Sequence, residues 1–235
     1  MKCLDLCCCS GGASDGYNDA GFEVTGVDIK EQKQYPYSFF KNDALKVIRG
    51  ETSIQLNAFD FIHASPPCQT HTSLVSIRNA QGRKSAVVDI LDEVVDGLVA
   101  CGKPFIVENV SGATLKKHTA GLHEITLCGS MFGLKVRRHR KFWSNVPITT
   151  KGMKCEHKKQ GKPIGVYGSK GDHVKGMWKG KMCYGGVTAK TDEEALNAMG
   201  FKRKVPWNKL KEAIPPVYSE FLGKQIIDFI ANRNK

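Results

Sequence analysis

Long apolar runs are missing from this 235-residue sequence, and none approaches the roughly 20 residues needed to cross a bilayer. The opening Met1-Lys2-Cys3-Leu4-Asp5-Leu6 breaks into acid and glycine too soon for a signal peptide, so a cytoplasmic setting with no membrane partner is the expectation. Internal repeats and low-complexity tracts are also absent. Acid is scarce beside base, 23 residues against 35, for a formal net charge of +12. A surplus of that size favours a polyanionic partner, with nucleic acid ahead of a membrane surface, although plain solubility produces the same sign.

Cysteine is plentiful, with nine residues, but a chain this long without a secretory leader is a poor candidate for a disulfide framework. Cys7, Cys8 and Cys9 are consecutive, and neighbours in an extended chain point to opposite faces and pair poorly. They read as free thiols in a reducing compartment. A content of 41% hydrophobic and 25% charged residues belongs to an ordinary globular chain of one domain, or one domain with a small insert.

Patterning gives the class. Lys2-Cys3-Leu4-Asp5-Leu6 reads as a buried strand, followed by Ser10-Gly11-Gly12 and a helix over about Ala13 to Ala20. Phe22 to Asp28 reads as a second strand and Asp60 to Ala64 as a third, stopped by Ser65-Pro66-Pro67. Val87, Val88, Leu91, Val94, Val95 and Leu98 repeat at helical spacing within Ser85 to Ala100, and Lys103 to Val110 returns to strand. Alternating strands and helices predict an α/β fold with a doubly wound, mostly parallel sheet.

From about Val146 to Thr191 Gly and Lys dominate and the periodicity fades, with short pieces such as Ile164-Gly165-Val166-Tyr167 resembling isolated strands. The expected organisation is therefore a catalytic domain over 1–145, a small irregular insert over 146–194 and C-terminal helices over 195–235. Those helices are Asp192 to Gly200, with an acidic first turn and a glycine stop, and about Tyr218 to Asn232 after Pro215-Pro216.

Several motifs carry chemistry. A strand, a glycine turn, a helix and an acid ending the next strand form nucleotide-site geometry, with Gly11 and Gly12 in the turn and Asp28 positioned for ribose hydroxyls. Cys9 stands where a dinucleotide pattern has its first glycine, which favours a nucleoside ligand without a pyrophosphate. A tight turn with an incidental acid has the same appearance. Ser65-Pro66-Pro67-Cys68-Gln69 presents a thiol on a stiff loop just after a buried strand, as nucleophilic catalysis requires; a buried cysteine in a proline turn is the plainer account. Glu108 ends an apolar strand at the same expected sheet edge, where a carboxylate is either functional or reaching water. Arg138 and Arg140 alternate along an extended segment and point to one side, as they also would on a solvated basic strand. The run Val136 to Lys141 and the Lys-, Gly- and His-rich stretch from Lys151 to Lys181 are candidates for tracking phosphates.

Taken together and in order, these segments resemble the cytosine-5 DNA methyltransferase family over roughly 1 to 145 and 195 to 235. Asp5-Leu6-Cys7-Cys8-Cys9-Ser10-Gly11-Gly12, running on to Ala20-Gly21-Phe22, is similar to the family's first cofactor motif. Asp28 matches its ribose acid, and Asn42-Asp43-Ala44 its adenine-contacting segment. Pro66-Pro67-Cys68-Gln69, Glu108-Asn109-Val110 and Arg138-His139-Arg140 match the nucleophile, Glu-Asn-Val and Arg-x-Arg motifs. Ala213 to Gly223 resembles the closing helix that returns to the cofactor site.

The resemblance implies a fold of the S-adenosylmethionine-dependent methyltransferase type with a target-recognition insert. It implies S-adenosylmethionine as methyl donor, S-adenosylhomocysteine as product and a flipped-out cytosine in double-stranded DNA as substrate. Cys68 would attack C6, Glu108 would hold N3 with a raised pKa, Arg140 would bind O2, and Arg138 would orient the loop or a phosphate. The cofactor would meet Asp5, Cys7, Ser10, Gly11 and Gly12 in the first motif, Asp28 and Ile29 after the second strand, and Asp43, Ala44 and Pro66 beyond. The family usually has Phe and Gly where this chain has Cys7 and Cys9, and Gly223-Lys224-Gln225 replaces a Gly-Asn-Ser-like ending.

The short insert implies a brief recognition site, and the compact form resembles phage-encoded enzymes of a bacterial or phage-infected cell, acting as monomers. The same chemistry on RNA is an alternative, as is a catalytically weak DNA-binding relative. An amino-methyltransferase is disfavoured because Ser65 precedes, and Cys68 follows, the two prolines. Cys155-Glu156-His157 with Cys183 fits no standard zinc spacing, so no metal is expected. Trp143, Trp178 and Trp207 are candidates for base stacking, with core packing favoured for Trp143 and Trp207.

Overall fold

The computed structural model describes residues 1–69, 71, 88–117, 121–171, 173–178 and 181–233, with backbone alone over 173–178 and 181–186. Seven strands form one sheet: β1 (Lys2–Leu6), β2 (Glu23–Asp28), β3 (Ser38–Lys41), β4 (Phe61–Ala64), β5 (Phe105–Val110), β6 (His123–Leu127) and β7 (Arg140–Ser144). Their order is β3-β2-β1-β4-β5-β7-β6. The first five lie parallel, whereas β7 runs antiparallel to both β5 and β6.

Alternation along the strands sorts the core into two layers. Leu4, Leu6, Ile62, Phe105 and Val107 face one side, where they meet Val94, Val95 and Leu98 of α3 (Leu91–Cys101), with α2 (Ala44–Ile48) beside it. Cys3, Phe61 and Ile106 face the other, against Tyr17 of α1 (Gly12–Ala20) and Tyr218, Leu222 and Ile226 of α7, the long helix Pro216–Arg233. Strands covered on both faces read as continuous apolar runs, which is how β1, β4 and β5 appear in the sequence. The crossing of α1 and α7 is close enough that a Cβ on Gly16 would lie 1.9 Å from the Pro216 carbonyl oxygen.

Helix α3 begins later than its apolar spacing predicts. Val88 is 71% exposed, and the Asp89 side chain accepts the Leu91 N–H at 3.2 Å, starting the helix there; the expected turn at 85–87 lies outside the described residues. Helix α7 starts two residues early, because Pro216 is suited to a first helical position.

The insert folds as a second, three-stranded sheet, β8-β10-β9, from β8 (Ile164–Gly165), β9 (His173–Trp178) and β10 (Lys181–Thr188), preceded by α4 (His157–Gln160). A small core of Val136, Val166, Ala189, Ala195, Met199 and Leu210 joins it to α5 (Asp192–Met199) and α6 (Trp207–Leu210). The Thr191 side chain accepts the Glu194 N–H, capping α5. Among the described residues no helix is long and apolar enough to cross a membrane.

Candidate active site

Chemistry gathers at the C-terminal ends of β1, β2, β4 and β5, the edge where open α/β sheets bind ligands. Parallel pairing sets Asp5 beside His63 and Leu6 beside Ala64, and Val107 also beside Ala64. Cys68, four residues past β4, and Glu108, near the end of β5, therefore leave the sheet on neighbouring strands. The Asn109 side-chain amide donates to the Pro66 carbonyl at 3.1 Å, tying the proline loop to β5. Opposite Val110 in the antiparallel register stands Arg140, so Glu108 and Arg140 are diagonal neighbours on one face.

Glu108 is buried, and that burial raises its pKa; Arg140, a hydrogen bond from Ser65 and Arg138 pull the other way. Arg140 Nε stands 2.9 Å from Glu108 Oε1, an ion pair between two side chains that are both largely buried. Behind it runs a polar chain. Burial lowers the His63 pKa to about 3, so the ring is neutral. Tyr17 Oη lies 2.9 Å from His63 Nδ1, and His63 Nε2 lies 2.9 Å from Ser65 Oγ. His63 thus links the Tyr17 hydroxyl to the Ser65 hydroxyl, one ring nitrogen donating and the other accepting.

Cys68 is half-buried. Burial first, then the Glu108 carboxylate, raises its thiol pKa, and Arg140 and Arg138 oppose them. Arg138 and Arg140 both line one cleft of about 1260 Å3, with Val110, Gly112, Val166 and Lys211, between the sheet edge and the insert. Their attachments differ. The Arg138 guanidinium donates to the carbonyls of Val166 (3.3 Å) and Lys211, and burial lowers its pKa to about 9. It ties the insert to the segment after α6.

The expected phosphate-tracking run over 136–141 is largely occupied in holding the fold. Arg137 donates to Gln160 and to the carbonyls of His157 and Gly161, and Lys141 donates to the Ala113 carbonyl and sits 3.4 Å from Glu124. Lys151, Lys154, Lys158 and Lys162 in the insert are exposed instead. Trp143 is buried with its N–H donated to Glu124, whereas Trp207 is only partly buried and donates to the Gly168 carbonyl.

The glycine turn lies one strand away. Cys7 and Cys9 have positive φ (59° and 47°), as does Gly11 (83°). Cys9 thus holds the left-handed conformation that favours glycine. Asp28 accepts the N–H groups of Cys9 (3.0 Å) and Lys30 (2.9 Å), locking the turn to β2. Asp5 is fully buried, accepts a hydrogen bond from Ser14, and has its pKa pushed up to about 7, chiefly by burial. Asp5 Oδ1 and Ser10 Oγ are buried without partners, orphaned polar atoms that fit a ligand carrying its own donors and acceptors.

Ile29 is 63% exposed at the turn's mouth, and Asp43 caps α2 just before buried Ala44. Tyr35 and Arg203 stand over the turn: a Cβ on Gly11 would meet both at 3.1 Å, and Arg203 holds Asp15 and the Ser10 carbonyl. Gln225 is turned away from the turn, exchanging hydrogen bonds with the Thr149 backbone.

Sequence reasoning passed over Tyr17, His63, Tyr35 and Arg203. A histidine inside the otherwise apolar Phe61-Ile62-His63-Ala64 was the available signal for the buried chain. Tyr35 and Arg203 lie in irregular segments with no periodicity to mark them.

The architecture is that of methyltransferases. A protein described as a DNA modification methyltransferase encoded within an E. coli prophage superposes with a TM-score of 0.61 at 13% identity, over 98% of this chain and 99% of that one. The S. pombe Dnmt2 methyltransferase gives 0.56 at 13% identity over 98% and 99%, and the Entamoeba histolytica methyltransferase EhMeth 0.54 at 13% over 100% and 99%. At such identities the likeness speaks for the fold alone. The sequence itself matches the C-5 cytosine-specific DNA methylase family over residues 1–137, more than half of the chain, and the protein belongs to that family. No curated protein matches it by sequence.

Proposed function

We propose that this methyltransferase moves a methyl group from S-adenosylmethionine to C5 of a cytosine flipped out of double-stranded DNA, through a covalent bond between Cys68 and C6. The observation that carries the reading is the buried Glu108 carboxyl, paired with Arg140 at 2.9 Å and next in sequence to Asn109, which holds the Cys68 loop through the Pro66 carbonyl. A cytosine edge, whose N3 accepts the carboxyl proton and whose exocyclic amine donates to the other carboxyl oxygen, is the partner such a group needs.

The electrostatics link binding to activation. Glu108 as a carboxylate raises the Cys68 thiol, while Arg140 and Arg138 lower it. With Glu108 protonated, as its burial favours, the carboxyl donates its proton to N3, its negative charge no longer opposes Cys68, and the two arginines are left to stabilise the thiolate. Thiolate attack at C6 makes C5 an enamine carbon able to take a methyl group. Solvent water then takes the C5 proton, and the electrons of that C–H bond restore the C5–C6 double bond as the C6–S bond breaks and Cys68 leaves as a thiolate. Arg140 offsets charge that builds on the cytosine oxygen. The cofactor supplies the electrophilic methyl; Asp5, Ser10, Gly11, Gly12, Asp28, Ile29, Asp43, Ala44, Pro66 and Cys7 would hold it, and the orphaned Asp5 Oδ1 and Ser10 Oγ favour that role. The cleft and the exposed insert lysines suit a phosphate backbone.

The test is methyl transfer from labelled S-adenosylmethionine to duplex DNA and, separately, to tRNA, followed by nucleoside analysis. C5-methylcytosine in DNA that disappears with Cys68→Ala is the expected result. Label in tRNA alone transfers the same residues to an RNA substrate. Methylation that survives Cys68→Ala overturns the covalent route.

A further inference from the structure

Away from the sheet edge, four side chains that the proposed chemistry does not use converge on one point: Cys128, His139, Cys155 and His157, whose ligand atoms all lie within 4.8 Å of one another. Cys128 Sγ is 3.2 Å from His157 Nε2, and Cys155 Sγ is 3.5 Å from His139 Nε2. A tetrahedral zinc bound by sulfur at about 2.3 Å and nitrogen at about 2.0–2.1 Å sets sulfur and nitrogen about 3.5 Å apart, so these edges already have the dimensions of a ligated site. We infer that the chain binds one structural zinc ion through Cys128, His139, Cys155 and His157.

The surroundings are arranged as outer-shell support. His139 Nδ1 lies 3.2 Å from the Arg137 carbonyl, to which its N–H donates, and this tautomer leaves the Nε2 lone pair turned inward. Ser130 Oγ accepts the Glu156 N–H at 3.1 Å, so its own proton is free to reach Cys128 Sγ at 3.3 Å, a hydrogen bond suited to a thiolate. Two thiolates and two imidazoles closing four positions leave none for a substrate, which makes the site structural. The spacing, Cys128-x10-His139-x15-Cys155-x-His157, matches no standard finger because the ligands come from three places in the fold. Cys128 follows β6, His139 precedes β7, and Cys155 and His157 lead into α4. Sequence reasoning paired Cys155 and His157 with Cys183 and expected no metal; Cys128 and His139 are the partners it lacked.

The position gives the ion a task. His139 sits between Arg138 and Arg140, so a ligated imidazole would fix the backbone from which both arginines leave, and it would staple the start of the insert to the catalytic sheet.

The test is metal content of the full-length chain purified under reducing conditions, followed by cobalt(II) titration of the metal-stripped protein. One equivalent of zinc per chain, and a visible cobalt spectrum of a tetrahedral thiolate site, are expected. Cys155→Ser and His157→Ala, at partly accessible ligands, should each weaken uptake by far more than the about 10-fold or greater loss expected for Ser130→Ala. Cys101→Ser, at a thiol remote from the cluster, should leave uptake unchanged. Failure of the unaltered, reduced chain to take up either metal overturns the inference. So does uptake that ignores the Cys155 and His157 replacements, or isolation of the chain with a Cys128–Cys155 disulfide.

Discussion

The sheet edge and the insert are held together in different ways. At the edge, Cys68, Glu108 and Asp5 leave parallel strands whose register is set by backbone hydrogen bonds and whose two faces are filled by Leu4, Ile62, Ile106 and Val107. Burial there is ample, and the polar groups are the exception. The insert has one small core, shared with α5 and α6, and its early part from 150 to 163 has no buried residue. Such a segment contributes little apolar burial, so cross-links such as Arg137, Arg138 and the Cys128–His157 cluster have to order it. The proposed chemistry sits on the region that folds by burial, and the proposed metal site and the exposed lysines belong to the region with little core of its own.

Glu108→Gln should break the first half of the contrast most strongly. The amide keeps the volume but cannot share a proton with N3, so methyl transfer should fall by about 10²- to 10⁴-fold with melting nearly unchanged, read by single-turnover methylation and thermal unfolding. A variant that loses activity only in step with its melting temperature would make Glu108 a structural acid.

The second half is tested by stripping the metal. Chelation should make the stretch 146–191 sensitive to protease while the sheet, whose strands run from Lys2 to Ser144, resists cleavage, because only the insert depends on ligation. A cooperative loss of both regions would mean that the two are not separable.

Legibility in the sequence follows the same division. Strands β1, β4 and β5 were legible because residues covered on both faces form mostly apolar runs, with Glu108 near the end of one and Cys68 in the loop just past another. Hairpin β6–β7 went unread, since its outer strand is half exposed and its polar residues hide the alternation. The start of α3 was misplaced because the side chain of Asp89, and no change of periodicity, begins that helix. Charge alone marks the run at 136–141 as a candidate phosphate surface, and it does not show that Arg137 also reaches the backbone carbonyls of His157 and Gly161. The metal cluster needed the fold, as its ligands come from segments far apart in the chain.

A smaller effect comes from Asp5, on the burial side of the comparison. Its folded pKa of about 7 lies above the roughly 3.9 of an unfolded aspartate. Below about pH 4 both states are protonated and the full stability is present. Between about pH 4 and pH 7 the unfolded chain ionises while the folded one keeps its proton, so stability falls as pH rises, by about 1.4 kcal/mol per unit and about 4 kcal/mol in all. Asp5→Asn keeps an acceptor for Ser14 and should remove that slope. The difference between the two denaturation profiles isolates it from other carboxylates, and parallel profiles would show that Asp5 is ionised throughout.

The smallest effect concerns Cys9, where the family usually has glycine. A side chain at φ 47° carries a left-handed penalty of roughly 1–2 kcal/mol, partly offset because glycine frees the unfolded chain by about 0.5–1 kcal/mol. Cys9→Gly should therefore stabilise the protein by up to about 1 kcal/mol, at the cost of a weak 3.7 Å contact from its thiol to Glu212. Chemical denaturation with an unchanged slope is the measurement. A destabilised variant would mean that the thiol contact outweighs the strain, and that the turn, like the insert, is held by its side chains.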